Sequence, residues 1–403
     1  MKVFIKGLNA CVMRNQKLLQ YEQFIKANGH EIVSFPDVAD AILLWTCAFR
    51  ADHRDASLLT ISKILDKYNA IVIVAGCLPA IAGDLLPKNN RLVIAGWNND
   101  VDCLDRIFRT TQSLANFSPV YVHERLCKDA ATYRKTTGKD ATFHDQFIKL
   151  LVSEGCNFKC SYCSERLAFP PYHSVDPLEL EHKCREMVEK TGVYDVILLA
   201  DSLGQYGCDM GTNLPSLVRR LAAIDRRLRF AFNNLHLKNF MEFFDDFKNF
   251  ILEGRVAHFN IPIQSVSDYI LERMNRQYTK KDIIKVFNLF RQLNFKDFDT
   301  HIIIGFPGER EKDVDETQDL LLNFNPRYVL VSRYMEAEGA DSAKMEPKVP
   351  AKVMWERLNR ISKALSEASI ICNCDGGGLS KERLNKLHGF FNVEDNKNEK
   401  KRK

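Results

Sequence analysis

Residues 147–163, FIKLLVSEGCNFKCSYC, join an apolar strand pattern to three closely spaced cysteines. Cys156, Cys160 and Cys163 have the spacing CxxxCxxC and directly follow the strand. Three thiolates on one tight loop can bind three irons of a [4Fe–4S] cluster and leave the fourth iron open. A structural zinc site is the alternative, but it would need a fourth Cys or His ligand. Because no second CxxC pair lies nearby, the sequence favours a cluster.

From residue 147 onward, apolar runs alternate with helical patterns. Six apolar runs predict strands, at 147–152, 196–200, 228–232, 256–261, 301–304 and 328–331. Helical patterns lie between several of them, at 177–191, 213–224, 280–294 and 311–324. This α/β alternation predicts a partial (β/α)6, TIM-like barrel, whose chemistry takes place at the carboxyl ends of its strands.

The first hundred residues predict a different α/β domain. Four apolar strands, at 3–5, 41–45, 70–75 and 91–95, alternate with helical patterns at 15–28 and 51–68. Such strands predict an open parallel sheet covered on both faces, that is, a doubly wound domain.

Three cysteines of this domain share one position relative to its strands. Cys11, Cys47 and Cys77 each lie just past the carboxyl end of a predicted strand. Those ends converge on one crevice in a parallel open sheet, so the three thiols are expected to meet and could bind a second [4Fe–4S] cluster. The alternative is three buried cysteines that act as small hydrophobes.

The predicted domains are the N-terminal domain at 1–110, a polar linker at 111–145, the barrel at 146–345 and a C-terminal segment at 346–403. The last segment is expected to form one amphipathic helix over 351–369 and a loose, lysine-rich end. Cys372 and Cys374 in that end are most simply free thiols.

Composition narrows the class of protein. Of 403 residues, 45% are hydrophobic and 27% are charged, which describes a globular protein. No apolar run is long enough to span a membrane, and the N-terminus lacks a secretory pattern, so a cytoplasmic location is expected. Twelve cysteines in a reducing compartment argue for metal ligation or catalysis rather than disulfides. The net charge of +5 lies largely in the last seven residues and does not require an anionic partner.

The placement of CxxxCxxC after a barrel strand resembles the radical S-adenosylmethionine (SAM) superfamily. Further blocks resemble its methylthiotransferase family over about residues 1–350. They are 7–15 (GLNACVMRN), 46–48 (TCA), 76–77 (GC), 204–207 (GQYG), 261–265 (IPIQS), 274–279 (MNRQYT) and 304–309 (IGFPGE). That family modifies an adenosine in tRNA or an aspartate in a ribosomal protein, and it replaces C–H with C–SCH3.

The resemblance implies two [4Fe–4S] clusters and SAM as cofactors. The barrel cluster, on the catalytic Cys156, Cys160 and Cys163, would cleave SAM to a 5′-deoxyadenosyl radical that abstracts hydrogen from an unactivated carbon. The auxiliary cluster, on Cys11, Cys47 and Cys77, would present sulfur to the substrate radical. The implied partners are SAM, a peptide, small-molecule or RNA substrate, and an electron donor of the flavodoxin or ferredoxin type, with no membrane.

The resemblance also implies positions for SAM. Tyr162, just before the third cysteine, is expected near the adenine, and Asp201 and Ser202, at the end of the second barrel strand, near the amino group. The ends of the third and fourth strands add three more candidates, Asn233, Gln264 and Ser265. The alternative for each is a packing or capping role in its loop.

Three departures from the family bear on the substrate. The usual C-terminal RNA-binding β-barrel is expected to be missing after Pro350. Only Arg166 remains of an arginine-rich stretch after Cys163, and the block before Gly204 is shortened. These departures favour a peptide or natural product over tRNA. A tRNA methylthiotransferase with a truncated C-terminus, a radical SAM oxidase or rearrangement enzyme with an electron-transfer cluster, and a non-enzymatic scaffold remain alternatives.

Overall fold

The computed structural model describes residues 1–8, 12–97, 99–117, 147–337 and 339–374, with the side chains of 12–16 excepted. The described residues fall into two compact units. The first consists mainly of residues 1–117, and the second of residues 147–334 and 340–374. Each unit has its own sheet.

The first unit is a five-stranded parallel sheet with the order β2-β1-β3-β4-β5. Its strands are β1 (Lys2–Gly7), β2 (Glu31–Ile32), β3 (Ala41–Thr46), β4 (Ile71–Gly76) and β5 (Leu92–Ala95). Its helices are α1 (Val12–Ala27), α2 (Ala51–Lys67), α3 (Leu78–Ala82) and α4 (Asp100–Phe108).

Both faces of this sheet are covered, which explains why β3 is apolar at nearly every position. Ile42 packs on one face in a cluster with Ile61 of α2. Leu43 packs on the other face with Phe24 of α1 and Leu104 of α4. Neighbouring residues of a strand point to opposite faces, so a sheet with helices on both sides needs unbroken apolar strands. The predicted doubly wound fold is confirmed.

The second unit is an eight-stranded sheet with the order β13-β12-β11-β10-β9-β8-β6-β7, curved as a partial barrel. Its strands are β6 (Ile148–Glu154), β7 (His173–Ser174), β8 (Asp195–Ala200), β9 (Arg229–Phe232), β10 (Val256–Asn260), β11 (Phe298–Ile304), β12 (Tyr328–Arg333) and β13 (Ile371–Cys374). All neighbours pair in parallel except β6 and β7, which are antiparallel.

Eight helices of the second unit follow or connect these strands. They are α5 (Pro177–Thr191), α6 (Leu214–Ala222), α7 (Leu237–Glu242), α8 (Phe244–Leu252), α9 (Asp268–Arg273), α10 (Lys280–Gln292), α11 (Glu311–Phe324) and α12 (Ala351–Glu367) among the described residues. The repeated strand-to-helix order confirms the predicted partial barrel. None of the helices described in either unit is long and apolar enough to cross a membrane.

A phenylalanine cluster holds the barrel strands to their helices. The cluster has five fully buried members, Phe232, Phe240, Phe247, Phe259 and Phe290, and seven pairs of their ring centroids lie 4.7–5.6 Å apart. Stacked and edge-to-face pairs at such distances add to the stability gained from apolar burial alone. This core leaves the carboxyl ends of the strands as a fixed platform for loops.

The end of the described chain differs from the expectation of a loose segment. Residues 371–374 form strand β13, which pairs in parallel with β12 and places Cys372 opposite Val329. A segment of four residues, Ile371–Cys374, is too short to predict a strand from sequence. The free edge of β12 supplies the backbone partners that make this strand possible.

Candidate functional site

The three-cysteine loop leaves β6 through a glycine that no other residue can replace without strain. Gly155 has φ +85, and a Cβ built there would lie 2.7 Å from Tyr172 Cα and 2.8 Å from Pro170 O. Its backbone N–H donates to Asp201 Oδ2 at 2.8 Å. The strand therefore turns sharply into the loop, and the end of β8 fixes the turn.

The β8 side of the barrel holds the first half of the loop. Asn157 N–H donates to Gln205 Oε1 at 2.9 Å. Ser202 is 3% exposed and lies beside Cys156, where burial raises the pKa of the thiol and the Ser202 hydroxyl partly offsets that rise. Asp201 and Ser202, expected near the SAM amino group, thus lie at the cysteine loop, and one carboxylate oxygen of Asp201 is bonded to the loop backbone.

The segment after α9 holds the second half of the loop. Ser161 N–H donates to Met274 O at 3.1 Å, and Ser161 Oγ donates to Arg273 O at 2.7 Å. Asn275 Nδ2 donates to Lys159 O at 2.8 Å. The block 274–279 therefore acts as a clamp, because its residues bind the backbone of the cysteine loop.

Arg276 is the one member of this clamp that contacts a cysteine sulfur. Its Nη1 donates to Cys160 Sγ at 3.2 Å and to the Tyr162 hydroxyl at 3.0 Å. Its Nε donates to the Tyr278 hydroxyl at 2.9 Å, and its Nη2 donates to Pro262 O at 2.8 Å. Arg276 is 4% exposed. Tyr162 is therefore oriented by its hydroxyl as well as by packing.

The thiols lie in an environment of low polarity. Burial raises the pKa of Cys156 to about 11, and the neighbouring Cys160 and Asp201 add to the rise. Burial followed by the charge of Glu165 also raises the pKa of Cys163. Cys160 is 7% exposed. The Cys156 and Cys163 thiols are therefore protonated near neutral pH, and a bound metal centre would supply the positive charge that deprotonates them.

The arrangement of the thiols fits a cluster. Cys160 contributes to the electrostatic shifts of both Cys156 and Cys163, so the three side chains share one site. Across the described residues, no group of three or more His, Cys, Asp or Glu side chains converges on a single-ion site. A [4Fe–4S] cube binds each cysteine to a different iron, so its three ligands need not converge on one point.

A cavity of about 470 Å³ adjoins the loop on its β8 side. Asn157, Phe158 and Gln205 line it together with Lys238 and Glu242 of α7. Its volume falls within the range of small-molecule sites, and its lining is mainly polar.

The other residues expected to contact SAM lie at the carboxyl ends of neighbouring strands. Asn233 follows β9 directly and is half-buried. Gln264 has φ +64, and its backbone forms a bridge with Ile302 of β11. The hydroxyl of the buried Ser265 accepts a hydrogen bond from Ser267 N–H at 3.3 Å. A role for these three in binding SAM stays a prediction.

His236 is a buried residue of the site that the sequence does not reveal. Its ring stacks on Phe158 of the loop at 3.9 Å between centroids, and its Nδ1 accepts from Lys238 N–H. Burial, then the charges of Arg276 and Lys238, lower its pKa, so it is neutral. His236 and Arg276 contact a loop more than seventy residues away in sequence, which no local pattern predicts.

In the first unit, two of the three expected auxiliary ligands lie at one edge of the sheet. Cys47 and Cys77 follow β3 and β4, whose last residues Thr46 and Gly76 are paired. Gly76 has φ +95, and a Cβ there would lie 2.4 Å from Thr46 O, so the close approach of these strands requires glycine. Cys11 lies outside the described residues, and the triad stays a prediction.

Two family matches cover most of the chain. Residues 150–321 match the Radical SAM superfamily, and residues 2–96 match the family described as Uncharacterized protein family UPF0004. The first match includes the cysteine loop and the second includes Cys11, Cys47 and Cys77.

The similar proteins are methylthiotransferases with different substrates in their names. The chain is 27% identical to a probable threonylcarbamoyladenosine tRNA methylthiotransferase from Methanocaldococcus jannaschii, over 93% of this chain and 84% of that protein. It is 26% identical to the ribosomal protein uS12 methylthiotransferase RimO from Clostridium tetani, over 85% of this chain and 77% of that protein.

Among solved structures, the chain resembles TsrM from Kitasatospora setae, a radical S-adenosylmethionine methyltransferase. The TM-score is 0.55 at 13% identity, over 98% of this chain and 89% of that one. At this identity the likeness shows a shared fold.

Proposed function

We propose, since the chain is a member of the radical SAM methylthiotransferase family, that it uses SAM and two [4Fe–4S] clusters to replace an unactivated C–H with C–SCH3. The observation that carries this proposal is the buried, doubly clamped CxxxCxxC loop at the mouth of the barrel. When bound, the barrel cluster supplies the electron that cleaves SAM to the radical that takes a hydrogen atom from the substrate.

In this proposal Cys156, Cys160 and Cys163 hold the barrel cluster. Gly155 and Asp201 aim the loop from one side, and the block 274–279 fixes it from the other. Buried walls exclude water from a site where a radical forms, and water exclusion prevents side reactions of reactive intermediates. Tyr162, Asp201, Ser202, Asn233, Gln264 and Ser265 are the proposed SAM contacts.

The second cluster is proposed to sit on Cys11, Cys47 and Cys77. The pairing of Thr46 with Gly76 supports this, because it brings the residues after β3 and β4 to the same edge of the sheet. Sulfur for the product would come from this centre, and the methyl group would come from a second molecule of SAM. An electron donor of the flavodoxin or ferredoxin type stays a prediction.

For the substrate, we propose an adenosine of tRNA as the first candidate and a ribosomal protein segment as the second. The names of the similar proteins support both, because one modifies threonylcarbamoyladenosine in tRNA and the other uS12. The peptide or natural product favoured by the sequence alone has no support of this kind and stays a prediction.

The test is anaerobic turnover of the reconstituted full chain with SAM, a reductant and either uS12 or a tRNA that carries threonylcarbamoyladenosine but no methylthio group. The proposal predicts 5′-deoxyadenosine together with a product that has gained CH2S in mass. Cys156→Ala should abolish both products. Cys208→Ala is the matched control, since this exposed cysteine lies 3.8 Å from Asn157 but outside the motif.

The outcomes separate the alternatives. Loss of two hydrogens without gain of sulfur would support the oxidase. Absence of 5′-deoxyadenosine from a chain that carries its iron would contradict the radical chemistry and favour the scaffold.

A further inference from the structure

Among the residues that the structure describes, the hydrogen-bond partners of the buried cation Arg276 include no carboxylate. It donates four hydrogen bonds, to two tyrosine hydroxyls, one backbone carbonyl and the sulfur of Cys160. A buried charge without compensation costs several kcal/mol. We therefore expect the positive charge of Arg276 to be compensated by a group that becomes an anion when the cluster binds.

Of these four described partners, Cys160 is the one that metal binding turns into an anion. The thiolate is the form that binds iron, and a charge-assisted hydrogen bond from guanidinium to an anion is about twice as strong as a neutral one. Arginine keeps its positive charge in proteins, so Arg276 is a cation beside the sulfur.

Arg276 also connects three segments of the barrel unit through its hydrogen bonds. It connects the cysteine loop at Cys160 and Tyr162, the residue Pro262 after β10, and Tyr278 of its own segment. Its planar fork makes these contacts at once, which the single ammonium of lysine cannot do.

We propose that Arg276 is a positioning residue that sets the reduction potential of the barrel cluster through its hydrogen bond to Cys160 Sγ. This inference rests on the proposed function, because it requires the cluster on Cys156, Cys160 and Cys163. A reduced cluster carries one more negative charge than the oxidised one. Net charge and hydrogen bonds to the sulfurs are among the factors that set such potentials, so a fixed cation at 3.2 Å stabilises the reduced state.

The test measures the midpoint potential of the barrel cluster in the full, reconstituted chain. Electron paramagnetic resonance monitors the cluster during a redox titration. The signal that changes when SAM is added identifies the barrel cluster. Arg276→Met should shift the reduction equilibrium about tenfold toward the oxidised form. For a one-electron couple, this shift corresponds to a midpoint potential that is about 59 mV lower. Arg276→Lys, which keeps the charge, should give a smaller shift in the same direction.

Arg273→Met is the matched control. Arg273 lies one turn earlier, donates to Pro307 O and Glu346 O, and forms no hydrogen bond to a cysteine. The same chemical change should leave the potential at its wild-type value. Iron content and the thermal melting curve, measured on each variant, separate a change of potential from loss of the cluster.

An Arg276→Met protein with full iron and an unchanged potential would overturn the inference. If that variant binds no iron, Arg276→Gln decides, because it also removes the charge, and an iron-loaded glutamine variant with the wild-type potential would overturn the inference equally. A wild-type chain without a SAM-responsive signal would instead contradict the proposed function, so the two failures are distinguishable.

Discussion

At the scale of single residues, the proposed chemistry depends on a few positions where the backbone conformation or the side-chain contacts require one residue type. Gly155 turns β6 into the loop, and Arg276 contacts the middle cysteine. The sequence reveals the three cysteines, because their spacing alone limits what they can bind. It does not reveal Arg276 or His236, because their contacts depend on how distant loops meet.

Gly155→Ala is expected to destabilise the second unit and to lower its iron content after reconstitution. The new Cβ would lie under 3 Å from backbone atoms of Tyr172 and Pro170, in a conformation that already disfavours a side chain. The conformational strain alone costs about 1–2 kcal/mol, and the contacts add to it. Thermal unfolding and iron analysis measure the two effects.

Gly192→Ala is the control for this prediction. Gly192 also has positive φ, at +66, but a Cβ there meets nothing within 4 Å. It should lose about 1 kcal/mol or slightly more and keep all its iron. Equal losses of stability and iron in the two variants would show that the crowding around Gly155 is unimportant.

At the scale of elements, helix α12 is part of the barrel rather than an appendage. Arg357 of α12 donates to Glu309 Oε2 at 3.0 Å, and both side chains are buried. Glu309 also accepts from Gly305 N–H at 2.7 Å, in the block that follows β11. Burial raises the pKa of Glu309 to about 7, although Gly305 and Arg357 favour its charged form.

Arg357→Met is expected to cost about 3–5 kcal/mol, because it leaves a buried carboxyl without its partner. Arg360→Met is the matched control on the same helix, since Arg360 pairs with Glu311 and Asp315 at the surface. Exposed pairs contribute about 0–1 kcal/mol. Chemical denaturation of both variants measures the difference, and similar losses would contradict a structural role for the buried pair.

Elements were predictable from sequence where burial makes them regular. β3 and β8 are unbroken apolar runs because both of their faces are covered. α10 repeats buried residues at helical spacing, at Ile283, Val286, Phe287 and Phe290. The short α7, α9 and β13 carry no comparable pattern, since six or fewer residues are too few to show a period. Neighbouring elements determine them.

At the scale of the whole molecule, the sequence predicts two α/β units with one cysteine trio each, and both folds are confirmed. Each unit matches a different family model, in agreement with a division of the chain into two units. The substrate was the least predictable feature, because it depends on surfaces rather than on the buried motifs that sequence patterns record.

Iron content of the Cys11, Cys47 and Cys77 triple alanine variant tests the central claim most directly. Two [4Fe–4S] centres predict about eight irons per wild-type chain and about four in the variant, which should still produce 5′-deoxyadenosine from SAM. The loss of four irons with SAM cleavage intact would assign the second cluster to the first unit. An iron content that does not change would contradict the account.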